Sequence, residues 1–157
     1  MNPVKLVVQL MEEEPLVEAA DHDLNQRMAK YQFQLPADPH YEQQWHLRRD
    51  FVDPLFDERA ATGCDEAWQL LESFGAPDVV VGVTDDGCKL DHPDFDSPDK
   101  FAAWGYMQGQ SLITNFDIGA NPDEMYQAGA NHGTACAGVI AGEVDGVLTV
   151  GAAPGCR

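Results

Sequence analysis

Val79-Val80-Val81-Gly82-Val83-Thr84-Asp85-Asp86-Gly87 is the stretch from which the fold is read. Its β-branched run is continuous rather than alternating, so both faces are expected to be buried, as in a parallel sheet. Thr84-Asp85-Asp86-Gly87 ends it abruptly, which bounds the predicted strand at 79–84. Just before it, Ala67, Trp68, Leu70, Leu71 and Phe74 fall at helical spacing between Asp65 and Phe74, with Gly75 as a natural stop. A helix followed by a buried strand predicts α/β architecture. Reactive groups in such sheets gather beyond the carboxyl ends of the strands, and Asp85 falls there.

Working outward, Asn131-His132-Gly133-Thr134-Ala135-Cys136-Ala137-Gly138-Val139-Ile140-Ala141-Gly142 is rich in small side chains. Gly133 and Gly138 each cost about 1 kcal/mol of helix propensity, so this helix is expected to be central and buried, where packing compensates. His132 would stand at its start. Gly146 to Ala153 then reads as a turn and the approach to another strand. Residues 38–62 mix Pro, aromatics and charges without periodicity and are expected to hug the surface as an extended segment. Residues 1–37 hold a short strand-like run, Lys5 to Leu10, followed by weakly patterned charged sequence.

Bulk composition bounds the chemistry without choosing it. A chain of 157 residues, 44% of them hydrophobic, is of a size to bury one core. Nine Lys+Arg against 27 Asp+Glu leave a formal net charge of −18, a surface that repels nucleic acid and anionic lipid. The acidic excess fits a cation, a basic partner or a salt-rich environment. No stretch is long and apolar enough to predict a membrane span or the core of a signal peptide. Cys64, Cys88, Cys136 and Cys156 are widely spaced and form neither a zinc signature nor a dense disulfide framework.

Asp-Asp-Gly after a strand is by itself an ordinary turn, and His-Gly-Thr an ordinary helix start. Together, and in this order, they match one family. Val81 to Phe95, containing Asp85-Asp86-Gly87 and His92-Pro93-Asp94, resembles the Asp motif of subtilisin-like serine proteases (peptidase S8), and Asn131 to Gly138 resembles their His motif. The Asp-Asp doublet, and Cys136 one helical turn after His132, look most like the kexin and furin-like proprotein convertase branch. Asp38 to Leu47 resembles the segment that opens the mature domain, and Cys64 to Trp68 the helix before the Asp strand. The resemblance covers residues 38–157, read as the N-terminal part of a subtilisin-like peptidase domain. Residues 1–37 read as a leader. Glu14 to Leu24 is similar to the end of an inhibitory propeptide, and a disordered acidic leader fits the composition as well.

The resemblance implies a three-layer α/β fold, truncated here, with a mostly parallel sheet flanked by helices. It implies hydrolysis of peptide bonds by an Asp-His-Ser triad. His132 would be the base that activates a serine hydroxyl, and Asp85 the carboxylate that orients the imidazole. The family's nucleophile follows the His. Ser73, Ser97 and Ser111 all precede it, outside any Gly-Thr-Ser context, so the chain reads as a fragment that is inactive alone. The alternative is a non-catalytic relic that binds calcium or peptide. Asp86 would favour a basic substrate residue beside the scissile bond, mildly, since Gly129 stands where convertases carry a further acid. One structural calcium is implied at Asp38, Asp94 and the loop after the His helix, through Gly142, Asp145, Val147 and Thr149. The expected partners are a polypeptide substrate and the missing C-terminal half of the catalytic domain, with neither nucleic acid nor membrane. Family resemblance implies a secreted or cell-envelope location.

Overall fold

The core forms where aromatic residues far apart in the chain meet. Tyr41, Leu47, Trp68 and Val150 are its buried centre, and Phe33, Leu35, Cys64, Phe74 and Val144 pack around them. The computed structural model describes residues 33–50, 53 and 55–157, all within one unit, Gln32–Arg157. The expected strand-like run at Lys5–Leu10 and the propeptide-like stretch at Glu14–Leu24 lie outside the described residues.

The segment expected to hug the surface supplies half of that centre. A 3-10 turn at Tyr41–Gln43 buries Tyr41, and Leu47 follows it inward. Gln44 ties this segment to the far end of the chain. Its Nε2 donates to the Val150 carbonyl at 2.7 Å, and its Oε1 accepts from the Val150 amide at 3.0 Å. Composition pointed outward because the segment has no period. Burial came from single aromatic and aliphatic anchors instead.

Helix α1 spans Cys64–Leu71 and buries Trp68, whose indole donates to the Ala152 carbonyl at 3.0 Å. Asp65 and Glu66 sit in its first turn, where they complement the positive end of the helix dipole. It stops before the expected Phe74–Gly75 boundary, because Glu72 turns left-handed at φ 50° and its amide bonds Trp68 O. The early exit lets Phe74 fold back against Trp68, with ring centroids 5.4 Å apart.

Residues 79–84, where a buried strand is expected, form no regular strand in the described structure and are not buried. Val80 is 60% exposed and Val79 50%, which corrects the expectation of two covered faces. A strand interior is covered only when neighbours pair along its edges and helices pack on its faces. Among the described residues one backbone neighbour from another segment reaches it. Arg157 N donates to Val79 O at 3.0 Å, and Val81 N donates to Arg157 O at 2.8 Å. That alternation places Arg157 beside Val80 as a parallel neighbour. Lys100 holds the approach to this pairing, its buried ammonium donating to the carbonyls of Pro154 at 2.7 Å and Cys156 at 2.9 Å.

The described residues hold one further α-helix and one sheet. Strands β1 (Gly105–Gln108) and β2 (Ser111–Thr114) pair antiparallel, with Gly105 opposite Thr114 and Gln108 opposite Ser111. This hairpin, closed by Gly109-Gln110, was not anticipated. Helix α2 runs from His132 to Ala141, and Gly133 is its one buried residue. The small-residue helix is therefore present where expected, but it is not enclosed.

Candidate active site

Asp85 follows the valine run and His132 opens α2. The fold brings them into contact. Both carboxylate oxygens of Asp85 lie 2.9 Å from His132 Nδ1, so the Nδ1 proton is held by a carboxylate. Oδ1 also accepts the Asp86 amide at 2.7 Å. That backbone bond first, and the imidazole second, hold the Asp85 carboxyl below its ordinary range. Asp85 in turn pushes the His132 imidazole up, chiefly through the hydrogen bond to its ring. The His132 side chain is 75% exposed against 20% for Asp85. The orienting group is sheltered while the ring opens to solvent.

Close packing sets this distance. A Cβ built on Gly133 would meet Gly87 O at 2.1 Å and Asp85 Cβ at 2.8 Å, so the start of α2 rests directly on the Asp85-Asp86-Gly87 turn. Lys89 N donates to Thr134 Oγ1 at 3.0 Å and fastens the same turn one residue further along.

Asp86 has a role that sequence reading missed. Its Oδ1 accepts the Gly133 amide at 2.8 Å and its Oδ2 the His132 amide at 3.4 Å. Asp86 therefore caps α2 from a distant loop, satisfying amides that a helix start otherwise leaves open. Asn131, the residue in the N-cap position, makes no capping bond, and its Oδ1 accepts the Tyr126 hydroxyl instead. A local search for a cap would have stopped at Asn131. Beside the turn lies a cavity of about 670 Å³, lined among others by Val81, Asp85, Asp86, Trp104, Tyr106 and Met107.

The residues expected to hold calcium converge in part. Asp38 is 3% exposed and Asp94 2%. Asp38 Oδ1 accepts the amides of Gly146 at 3.0 Å and Asp145 at 3.3 Å, while Asp94 Oδ2 accepts the Thr149 hydroxyl at 2.8 Å. The other oxygen of each, Asp38 Oδ2 and Asp94 Oδ1, is buried without a hydrogen-bond partner. Two buried, half-satisfied carboxylates are costly unless a cation completes them, and oxygen donors suit a hard cation such as calcium. Burial, with Asp38, Asp94 and Asp96 nearby, pushes the Asp145 carboxyl up. Gly142 and Val147 lie in the same loop, where Gly142 O accepts from Gly151 N at 2.9 Å and Val147 N donates to Asp145 Oδ1 at 2.8 Å. Sequence reading missed Asp96 and Glu143. Their carboxylates come within 4.8 Å of that of Asp145. The spaced acid pairs Asp94/Asp96 and Glu143/Asp145 were the available signal.

Comparison with known proteins places these residues in context. Residues 76–157 match the Subtilase family, Peptidase_S8. The chain is 32% identical to bovine (Bos taurus) furin over 161 residues, covering 100% of this chain and 18% of that protein. It is 33% identical to furin of Mus musculus, covering 94% of this chain and 17% of that protein. It is also 32% identical over 117 residues to a calcium-dependent protease of Nostoc sp., covering 74% of this chain and 15% of that protein. The chain thus spans less than a fifth of the length of these relatives. No solved structure matches it.

Proposed function

The chain belongs to the subtilase family, on its furin-like side, and from that premise we propose that it supplies the acid–base part of a serine endopeptidase. The observation that carries the reading is the pair of 2.9 Å contacts between Asp85 and His132 Nδ1, on two motifs of the family in the family's order. With Nδ1–H held by Asp85, Nε2 is left as the basic nitrogen. It would take the proton of an attacking serine hydroxyl and return it to the leaving amine, while Asp85 stabilises the imidazolium between the two steps.

The serine must come from outside these residues. Ser73 Oγ donates to Gly75 O, Ser97 lies against Glu143 and Ser111 opens β2. None is hydrogen-bonded to His132, so the second half of the catalytic domain is the partner the chain needs. The substrate is a polypeptide. Asp86 would favour a basic residue next to the scissile bond, weakly, because its oxygens already accept two helix amides. Calcium would be held by the free oxygens of Asp38 and Asp94, with Asp145, Thr149 and the loop carbonyls of Gly142 and Val147. It would tie the N-terminal segment to the core, and the unsatisfied buried carboxylates support it. A secreted or cell-envelope location accords with the family. Among the described residues no helix is long and apolar enough to cross a membrane.

The test has two arms. Asp85→Asn in the complete protein should lower peptide hydrolysis by about 10⁴-fold through the wrong imidazole tautomer. The 157-residue chain alone should resist a fluorophosphonate serine probe. The alternative, a non-catalytic relic that binds calcium, predicts no hydrolysis by the complete protein to begin with.

A further inference from the structure

The cavity beside the dyad is lined by three carboxylates, those of Asp85, Asp86 and Glu124. Two of them are committed. Both oxygens of Asp85 face the His132 ring, and each oxygen of Asp86 accepts an amide of α2. Glu124 is exposed. Among the described residues its carboxylate makes one hydrogen bond, accepting Gln127 Nε2 on Oε2 at 3.1 Å. An ionised carboxylate has about four acceptor positions, so most of its capacity is left for a ligand. The backbone fixes where it stands. Asn121 caps a 3-10 turn at Pro122–Met125, its side chain accepting from Asp123 N at 3.2 Å. Met125 O accepts the Cys88 amide at 2.6 Å, and a Cβ on Gly87 would meet that oxygen at 2.5 Å. Glu124 is therefore one residue from a direct contact with the Asp85-Asp86-Gly87 turn. The cations on the cavity wall are turned to backbone. Lys100 is buried and donates to the carbonyls of Pro154 and Cys156, and Arg157 Nε donates to Asp99 O at 2.6 Å.

We propose that Glu124 is a specificity-determining residue, its carboxylate receiving a Lys or Arg side chain of the substrate close to the scissile bond. This assignment rests on the proposed function, which places the scissile bond beside His132. The cavity suits such a side chain along its length. Trp104, Tyr106 and Met107 on its wall offer apolar surface to the methylene stem, and the free carboxylate oxygen meets the charged head. Glu124 contributes more than Asp86 to this recognition. A carboxylate that already accepts two helix amides has less to give a ligand than one that accepts a single neutral side-chain amide. The gain is in discrimination. A neutral side chain of similar length finds the same apolar wall and no ion pair.

The test is hydrolysis by the complete protein of paired peptides carrying arginine or glutamine, in turn, at each residue flanking the cleaved bond. At one of these positions Glu124→Gln should lower kcat/KM for the arginine peptide by about fivefold, the scale of one exposed ion pair. The matching glutamine peptide should be cleaved as by the parent. Glu124→Gln keeps an acceptor for Gln127, so the turn is preserved. Asp123→Asn removes a charge from the same turn, away from the cavity wall, and should leave every ratio as in the parent. Unchanged ratios in Glu124→Gln, or an equal loss in Asp123→Asn, overturn the assignment. If the complete protein cleaves none of these peptides, the proposed function falls, and binding to the 157-residue chain decides the cation site. Acetyl-arginine amide at millimolar concentration should then shift the Glu124 side-chain carboxyl resonance in NMR, and Glu124→Gln should weaken its binding. A response confined to other carboxylates, or unchanged binding in Glu124→Gln, overturns the site.

Discussion

Two glycines in α2 allow the packing of the dyad to be measured. Gly138 has nothing within 4 Å of where a Cβ would stand, whereas at Gly133 that atom would meet Gly87 O at 2.1 Å. Replacing a helical glycine by alanine gains about 1 kcal/mol of propensity, and at Gly138 that gain should stand alone. At Gly133 the new methyl falls more than 1 Å short of ordinary van der Waals contact with backbone, which cannot swing aside as a side chain could. Overpacking of this kind costs about 1–3 kcal/mol. The propensity gain is at most equal at the two sites, so the difference between the variants approximates the clash. In melting temperature, at about 2–4 °C per kcal/mol for a domain of this size, Gly138→Ala should rise by about 3 °C and Gly133→Ala should fall below it by up to about 10 °C. Relief of the clash would lift the start of α2 by about 1 Å and carry His132 Nδ1 beyond hydrogen-bond reach of Asp85. The assay is thermal unfolding of both variants by circular dichroism, with the His132 pKa followed by NMR. If Gly133→Ala melts with or above Gly138→Ala and keeps the raised His132 pKa, close packing does not set the dyad distance.

The pH response has a definite sign. Asp85 is depressed and His132 raised, so their attraction contributes above the Asp85 range and below the His132 range. Its contribution should fade as pH rises through the raised imidazole pKa, and as pH falls through the depressed carboxyl pKa. Asp85→Asn should flatten both limbs, and a parent-like profile in that variant refutes the coupling. Asp86→Ala should cost about 1 kcal/mol by removing the cap, while Asp86→Asn keeps an acceptor, loses less stability and lowers the His132 pKa, as urea titration and NMR would show. In the complete enzyme, Asp86→Asn should narrow the gap between basic and neutral substrates. An unchanged ranking would remove Asp86 from substrate binding. Calcium at a hundredfold excess over its dissociation constant should stabilise the folded domain by about 2.7 kcal/mol, read as a chelator-sensitive melting shift. The Asp38→Ala, Asp94→Ala double variant should lose that shift, and its retention would exclude the site.

The linear sequence determined the chemistry available and the order in which it comes. Asp85 after a β-branched run, His132 at the head of a small-residue helix and Asp94 in His92-Pro93-Asp94 are each legible because they lie within a few residues of the elements that carry them. Tertiary structure alone decided which amides Asp86 caps, that Gly133 rather than Gly138 is the tight contact, that Tyr41 and Leu47 enter the core, and that Arg157 lies beside Val80. Each of these depends on segments tens of residues apart meeting within a few ångströms. The hairpin at 105–114 was local and still missed, because its strands are short and their pairing rather than their pattern makes them strands. Burial of the valine run follows the same physics. A β-branched sequence makes a strand suited to an interior, but neighbours must cover it, and along 79–84 the described residues supply a single parallel partner.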